Sequence, residues 1–192
     1  MYRSRLLATI LLLAAFTASS PGEAAEPVLQ SPGRLVDLVK PHEKEALAVR
    51  FMVAVSPIAL PEGVADCTVA KATPLLKEYF ARLYAGHLGP AELHDAVAFF
   101  ESKEGQTAVA LGLQHEQDIY TAAAQQERIA SEHPAYPPQI QKALDRFAVT
   151  PAGKVLTGKD EVASRQPFRS EISELRDAAF GACIQARAAG KP

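Results

Sequence analysis

The sequence has 192 residues, 22 acidic against 20 basic side chains and no tryptophan, and its formal charge is −2. A mildly acidic chain without a basic run is poorly suited to bind nucleic acid or an anionic membrane surface, so no nucleic-acid partner is expected. The length is typical of one domain and suffices to bury a hydrophobic core.

The first 25 residues have the order of a secretory signal peptide. Arg3 and Arg5 precede an apolar stretch over residues 6–16, and small residues follow up to Ala25. The apolar stretch is shorter than the roughly 20 residues that cross a bilayer as a helix. A cleavable signal is therefore favoured over a permanent membrane anchor.

Cleavage after Ala24 or Ala25 gives a mature chain that begins near Glu26. Removal of residues 1–25 changes the formal charge from −2 to −3. We expect residues 26–192 to form a single helical domain that is periplasmic or secreted, with no membrane span after cleavage.

Prolines divide the rest of the chain into segments with helical periodicity. Proline is excluded from helix interiors, and the apolar residues between prolines recur at spacings of three and four with almost no alternation. Helices are predicted over residues 34–54 with an interruption near Pro41, 64–87 with a kink or restart at Pro74, 90–101, 103–131, 138–148, 151–157 and 168–188. The predicted fold is all-α, a compact multi-helix bundle with short helix-helix corners marked by prolines and an irregular connection over residues 131–138.

Cys67 and Cys183 are the two cysteines of the chain. In an oxidising compartment an even, widely separated pair is most simply a disulfide. The alternative is two buried thiols that never meet, because bridging requires Cα atoms within about 7 Å.

The segment around Ser102 is typical of a helix-to-helix corner. An apolar helix ends at Phe99 and Phe100, and the Ser102 hydroxyl can cap the helix that follows. Gly105 lies in the first turn of that helix, where the absence of a side chain lets another helix approach closely.

Thr150, Pro151 and Gly153 form a second segment of the same kind, after an apolar helix that ends near Phe147. Pro151 falls at the first helical position, where its missing N–H costs nothing. The two corners suggest a weak internal repeat between residues 90–113 and 138–158. Four apolar positions recur 47 residues apart, since Leu93, Ala96, Val97 and Phe100 match Ile140, Ala143, Leu144 and Phe147. The residues of the two corners recur 48 residues apart.

The stretch from Glu92-Leu93 through Phe99-Phe100-Glu101-Ser102 to Gly105-Gln106 resembles an exported bacterial domain of unknown function, the family "DUF twenty fifty-nine". Its hallmark is Phe-Tyr-x-Ser-Pro-x-Gly-Gln-Lys, in which Phe100, Lys103 and Thr107 replace the tyrosine, the proline and the final lysine. The resemblance covers about residues 70–125. It implies an all-helical exported domain and brings no established activity and no catalytic residues.

No pattern typical of an active site, a cofactor site or a metal site is found. The five histidines lack the spacings of zinc or di-iron sites and are interpreted as surface residues. His115 and Asp118 can share a helix face, but two ligands do not make a metal site. No nucleophile elbow or glycine-rich phosphate loop is present. We therefore expect no catalytic residues, no cofactor and no metal, and an enzyme is disfavoured.

Three classes of function are considered. The first is a non-enzymatic interaction module that binds another protein of the cell envelope, and it is suggested by amphipathic helices and by aromatic residues such as Tyr79, Phe80, Tyr84 and Phe100. For each of these aromatics taken singly, packing in the core is the more frequent role. The alternative is a carrier of a small apolar ligand or lipid, and a hydrolase is a third, less favoured class. A core stripe and a pocket lining look alike in sequence, so periodicity does not separate them. The sequence does not indicate the oligomeric state.

Overall fold

The computed structural model describes residues 31–128, 131, 133–157 and 161–189. These residues form eight α-helices, one short 3₁₀ helix and no β-strand, so the all-α prediction is confirmed. The helices are α1 (Pro32–Val39), α2 (Pro41–Ala54), α3 (Val64–His87), α4 (Pro90–Glu101), α5 (Lys103–Ala124), α6 (Pro138–Ala148), α7 (Pro151–Leu156) and α8 (Phe168–Ala188), and the 3₁₀ helix is Val162–Ser164. The predicted signal peptide lies outside the described residues.

Prolines stand at the starts of the helices. Five helices have proline at their first position: Pro32, Pro41, Pro90, Pro138 and Pro151. A fixed φ suits the first helical residue, and its missing N–H would have had no partner there. The predicted interruption at Pro41 is confirmed, since α1 ends at Val39 and α2 begins two residues later.

Pro74 is the exception, and the predicted restart at this residue is wrong. It lies inside the continuous helix α3 with its ring exposed. Ala72 and Leu76, on either side of it, are almost completely buried. Burial of the flanking turns offsets the roughly 3 kcal/mol that proline costs within a helix.

Helix α5 is shorter than predicted and ends at Ala124 rather than residue 131. Gln126 adopts a left-handed conformation with φ of 57°. The N–H of Glu127 donates to Ala122 and that of Gln126 to Ala123, which closes the helix end in a Schellman motif. Glycine usually marks this position, and its absence explains why the sequence did not reveal the helix end.

Helix α3 is the centre of the bundle. It packs against α1, α2 and α8, while α4 and α5 pack together and extend the core towards α6 and α7. Leu76, Phe80 and Leu83 form its buried stripe, as the amphipathic pattern predicted. None of the described helices has the length and apolar composition that crossing a membrane requires.

Helices α3 and α8 run antiparallel and are fixed at both ends. At one end Cys67 and Cys183 form a disulfide, with Cα atoms 5.9 Å apart. At the other end the rings of His87 and Phe168 meet edge to face at 5.2 Å. The disulfide prediction is confirmed, and the bond joins the first part of the core to the last helix.

Candidate functional site

The corner between α4 and α5 is built on the Ser102 side chain. The Ser102 hydroxyl accepts a hydrogen bond from the Gly105 N–H at 3.1 Å and donates to the Phe99 carbonyl. Its backbone is extended, with φ of −65° and ψ of 157°. Ser102 is therefore the N-cap that the sequence predicted.

The corner between α6 and α7 has the same geometry. The Thr150 hydroxyl accepts from the Gly153 N–H at 3.0 Å and donates to the Phe147 carbonyl at 2.7 Å. The backbone angles of Thr150, φ of −71° and ψ of 158°, nearly equal those of Ser102. In both corners the capping hydroxyl donates to the carbonyl three residues before it. The corners therefore correspond at an offset of 48 residues, whereas the apolar positions of the two helices that precede them correspond at 47. The internal repeat as an evolutionary duplication stays a prediction.

The two glycines allow the corners to close. A Cβ atom on Gly105 would overlap the Phe99 carbonyl and lie 2.7 Å from the Phe100 Cα atom. A Cβ on Gly153 would overlap the Phe147 carbonyl in the same way. As predicted, another helix approaches both glycines closely. In each case the backbone that approaches is the last turn of the preceding helix. The motif residues are therefore structural, and Pro151 acts as the first residue of α7.

Beside these corners lies an open cleft of about 730 Å³, bounded by α2, α5, α6, α7 and the connection that precedes α6. Ligand sites in proteins typically have volumes of about 300 to 1,000 Å³. The base and walls of the cleft are apolar and are formed by Val39, Phe100, Ala108, Val109, Leu144 and Leu156. The rim carries the exposed polar side chains His133, Gln141, Asp145, Lys44 and Lys154.

Tyr136 and Gly112 face each other across part of the cleft. A Cβ atom on Gly112 would lie 3.6 Å from the Tyr136 hydroxyl, at ordinary contact distance. Tyr136 is half-buried, and burial raises the pKa of its hydroxyl. Glycine at position 112 leaves room that any larger side chain would fill.

Among the described residues that line the cleft, Glu161 is the one charged residue that is not exposed. Burial raises the pKa of its carboxyl, and the negative charge of Glu116 acts in the same direction, while Lys44 opposes both. No described side chain donates a hydrogen bond to this carboxylate, and Lys44 forms no salt bridge with it. A perturbed carboxyl in a cleft is a recognised indicator of a binding site.

The core contains a second polar group that the charge of this carboxyl reaches. The Tyr84 hydroxyl is completely buried and has no hydrogen-bond partner among the described residues. Burial raises its pKa, and so does the charge of Glu161. Buried polar groups in folded proteins are nearly always hydrogen-bonded, so a buried hydroxyl without a described partner is unusual.

Glu45 and Arg176 form a different, paired cluster between α2 and α8. The carboxylate accepts a hydrogen bond from the guanidinium at 2.7 Å, and both side chains are mostly buried. Burial raises the pKa of Glu45 despite this partner. No three His, Cys, Asp or Glu side chains of the described ranges converge as they would around a metal ion.

The aromatic residues considered for partner binding lie mainly in the core. Phe80, Tyr84 and Phe100 are buried, which is the core-packing role expected for each of them singly. Tyr79 is partly buried, and its hydroxyl donates to Glu171 at 2.9 Å. These aromatics therefore offer no surface for a partner.

The interpretation of the histidines as surface residues is wrong in two places. His42 is buried, and its Nδ1 atom lacks a partner among the described residues. Burial lowers the pKa of this imidazole. The Nε2 atom of His115 is also buried without a partner in the described part of the chain.

Sequence reasoning missed the residues that define the cleft. Glu161, Gly112 and Tyr136 belong to no motif. One signal was available, because the proline-rich stretch 131–138 was predicted to be an irregular connection, and such connections often contribute binding residues. Comparison of the chain with protein-family models, curated proteins and solved structures finds no match. Any function must therefore be inferred from the geometry.

Proposed function

We propose that this protein is an exported, non-enzymatic binding protein that holds a small, partly apolar molecule in the cleft between α5, α6 and α7. The observation that carries the proposal is the cleft itself, an apolar recess of about 730 Å³ with a polar rim. Its size and mixed lining are those of small-molecule sites in general. The carrier alternative is thereby favoured over a protein-interaction module that uses the buried aromatics.

Export is part of the proposal and is supported by two features. Residues 1–25 have the pattern of a secretory signal, and the Cys67–Cys183 disulfide is of the kind that persists in oxidising compartments. The resemblance to the DUF twenty fifty-nine family implies the same compartment and itself stays a prediction. The intact mass of the cellular protein tests export. We expect a chain that begins near Glu26 and is two hydrogens lighter without reductant, whereas a full-length mass would contradict export.

Binding is tested with the neutral fluorophore N-phenyl-1-naphthylamine and the oxidised mature chain. We expect saturable binding at one site. Gly112→Leu places a side chain in the cleft opposite Tyr136 and should weaken binding by about tenfold or more, roughly 1.4 kcal/mol. Gly86→Leu is the matched control, because Gly86 is also helical and has open space around it. Absence of saturable binding, or equal effects of the two substitutions, would contradict the proposal.

A second candidate function, contact with another envelope protein, is favoured by one exposed patch. Met52, Val55 and Ile58 lie three residues apart at the end of α2 and just beyond it, with exposed fractions of 40, 44 and 68%. A contiguous apolar patch on a surface often marks a contact site.

The patch is tested with a photo-crosslinking residue at Val55 in intact exporting cells. We expect one discrete adduct, and Ile58→Asp should remove it. The same residue at Val149, an exposed apolar position on α6's C-terminal end, is the control. Identical adducts from both positions, or none from Val55, would count against this function.

A further inference from the structure

The backbone of Glu161 is anchored beside the cleft. Its own backbone carbonyl accepts hydrogen bonds from the N–H of Ser164 at 3.1 Å and from the Ser164 hydroxyl at 2.8 Å. The next residue, Val162, is completely buried in the core. The backbone of Glu161 and the side chain of Val162 are therefore anchored, and the side chain of Glu161 extends from this anchored backbone.

This carboxyl differs from the partly buried carboxyl of Glu45. Glu45 is paired directly with Arg176, whereas no described donor reaches Glu161. An unpaired carboxylate in a partly buried place is costly, because desolvation is not repaid by a partner. A ligand that supplies the missing donor would remove this cost on binding.

The Tyr84 hydroxyl also lacks a described hydrogen-bond partner, but this residue is completely buried and is not among the residues that line the cleft. The carboxylate of Glu161 does line the cleft, so it is the group that a ligand there can reach. A carboxylate only accepts hydrogen bonds, and it is therefore complementary to a group that has several N–H donors.

The charges around the cleft favour a cation at this point. A charge-assisted bond from an ammonium group to a carboxylate is about twice as strong as a neutral hydrogen bond. An anionic head group would be repelled by Glu161, and the charge of Glu116 adds to this repulsion while that of Lys44 opposes it. Lys44 and Lys154 are exposed at the rim, where water solvates their charges.

We propose that the ligand of this cleft is an amphipathic amine, whose ammonium group binds the Glu161 carboxylate and whose apolar part occupies the apolar part of the cleft. This inference rests on the proposed function, since it names the head group of a molecule that the cleft must first bind. An alkyl carboxylate of equal chain length should bind more weakly than the amine.

Three probes with the same ten-carbon chain test the head group: decylamine, decanol and decanoate. Each displaces N-phenyl-1-naphthylamine from the oxidised mature chain at pH 7.5. We expect decylamine to bind about tenfold more tightly than decanol, and decanoate to bind most weakly. Glu161→Gln should bring decylamine to within about twofold of decanol while the fluorophore still binds.

Asp145→Asn is the matched control, because Asp145 is an exposed acid on the rim of the same cleft. This variant should keep the preference for the amine. If the fluorophore binds and Gly112→Leu blocks it, but the three probes displace it equally, the head-group inference fails and the proposed function stands. Retention of the amine preference in Glu161→Gln would also overturn the inference. If no probe and no fluorophore binds, both proposals fail.

Discussion

The rings of Phe99 and Phe147 stack in parallel, with centroids 4.1 Å apart and 2° between their planes. These two residues supply the carbonyl groups that accept the hydrogen bonds of Ser102 and Thr150. The stack therefore joins two helix corners of the same geometry. Phe100 meets Phe147 edge to face at 5.4 Å and places the corners against the base of the cleft.

The corners should not tolerate side chains at their glycines. Gly105→Ala and Gly153→Ala each force a methyl group against backbone of the preceding helix, and each should lower the free energy of unfolding by about 2 to 4 kcal/mol. Urea unfolding followed by circular dichroism measures this change.

Gly86→Ala and Gly181→Ala are the controls, because both helical glycines have open space where the methyl group would go. Each should stabilise the protein by up to about 1 kcal/mol, since alanine is the better helix former. Similar losses at all four glycines would contradict the close-approach explanation.

Removal of the disulfide should cost much of the stability. The Cys67–Cys183 bond closes a loop of 116 residues, which chain entropy values at roughly 4 to 5 kcal/mol. The variant with alanine at both positions should lose that amount of its free energy of unfolding and should therefore unfold at a lower urea concentration. Reductant should destabilise the wild type and leave the double variant unchanged. Equal stability with and without reductant in the wild type would oppose this role.

Arg176→Met should destabilise the protein strongly at pH 7 by leaving Glu45 buried without its partner. The expected loss is about 3 kcal/mol, because an uncompensated buried charge costs several kcal/mol. Arg34→Met, which breaks the exposed pair with Glu101, should cost less than about 1 kcal/mol. Thermal unfolding of the two variants at several pH values makes the comparison.

The loss in Arg176→Met should shrink on acidification. Burial already raises the pKa of Glu45 in the wild type, and removal of the guanidinium raises it further. An acid whose folded pKa is raised destabilises the folded state fully above that pKa, and protonation relieves the cost as the pH falls towards the unfolded value near 4.5. A loss that is constant from pH 7 to pH 5 would contradict this mechanism.

Decylamine binding should weaken as the pH falls from 7.5 towards 5. The amine stays protonated throughout, whereas Glu161 gains a proton as the pH approaches its raised pKa and loses its charge. Competition binding at each pH follows the change, with decanol as the uncharged reference. Within the described part of the chain, the ionisable groups that act on Glu161 or share its cleft are Lys44, Tyr84, Glu116, His133, Asp145 and Lys154.

Two variants separate Glu161 from its neighbours in this experiment. Glu161→Gln should make the ratio of decylamine to decanol affinity independent of pH. His133 is another ionisable side chain on the rim of the same cleft, so His133→Gln is the control and should leave the pH dependence in place. The reverse pattern would assign the effect to His133.

Local chemistry made most of the fold predictable. Proline at the first helical position, the capping hydroxyls of Ser102 and Thr150, and apolar spacing are all signals that act within a few residues. The continuation of α3 through Pro74 and the end of α5 at Ala124 were not predicted, because neither is marked by such a local signal. The first depends on burial of Ala72 and Leu76 by other helices, and the second on a left-handed Gln126 in place of glycine.

The sequence by itself determined an all-α fold, its corners, and a cysteine pair that could bond. Tertiary structure alone decided that Cys67 and Cys183 meet, that Tyr84 and Phe100 are core residues, and that Glu161 lies on a cleft. The physical reason is the range over which each signal acts. Caps and periodicity operate over one or two turns, whereas Cys67 and Cys183 are 116 positions apart in sequence and meet only when α3 packs against α8.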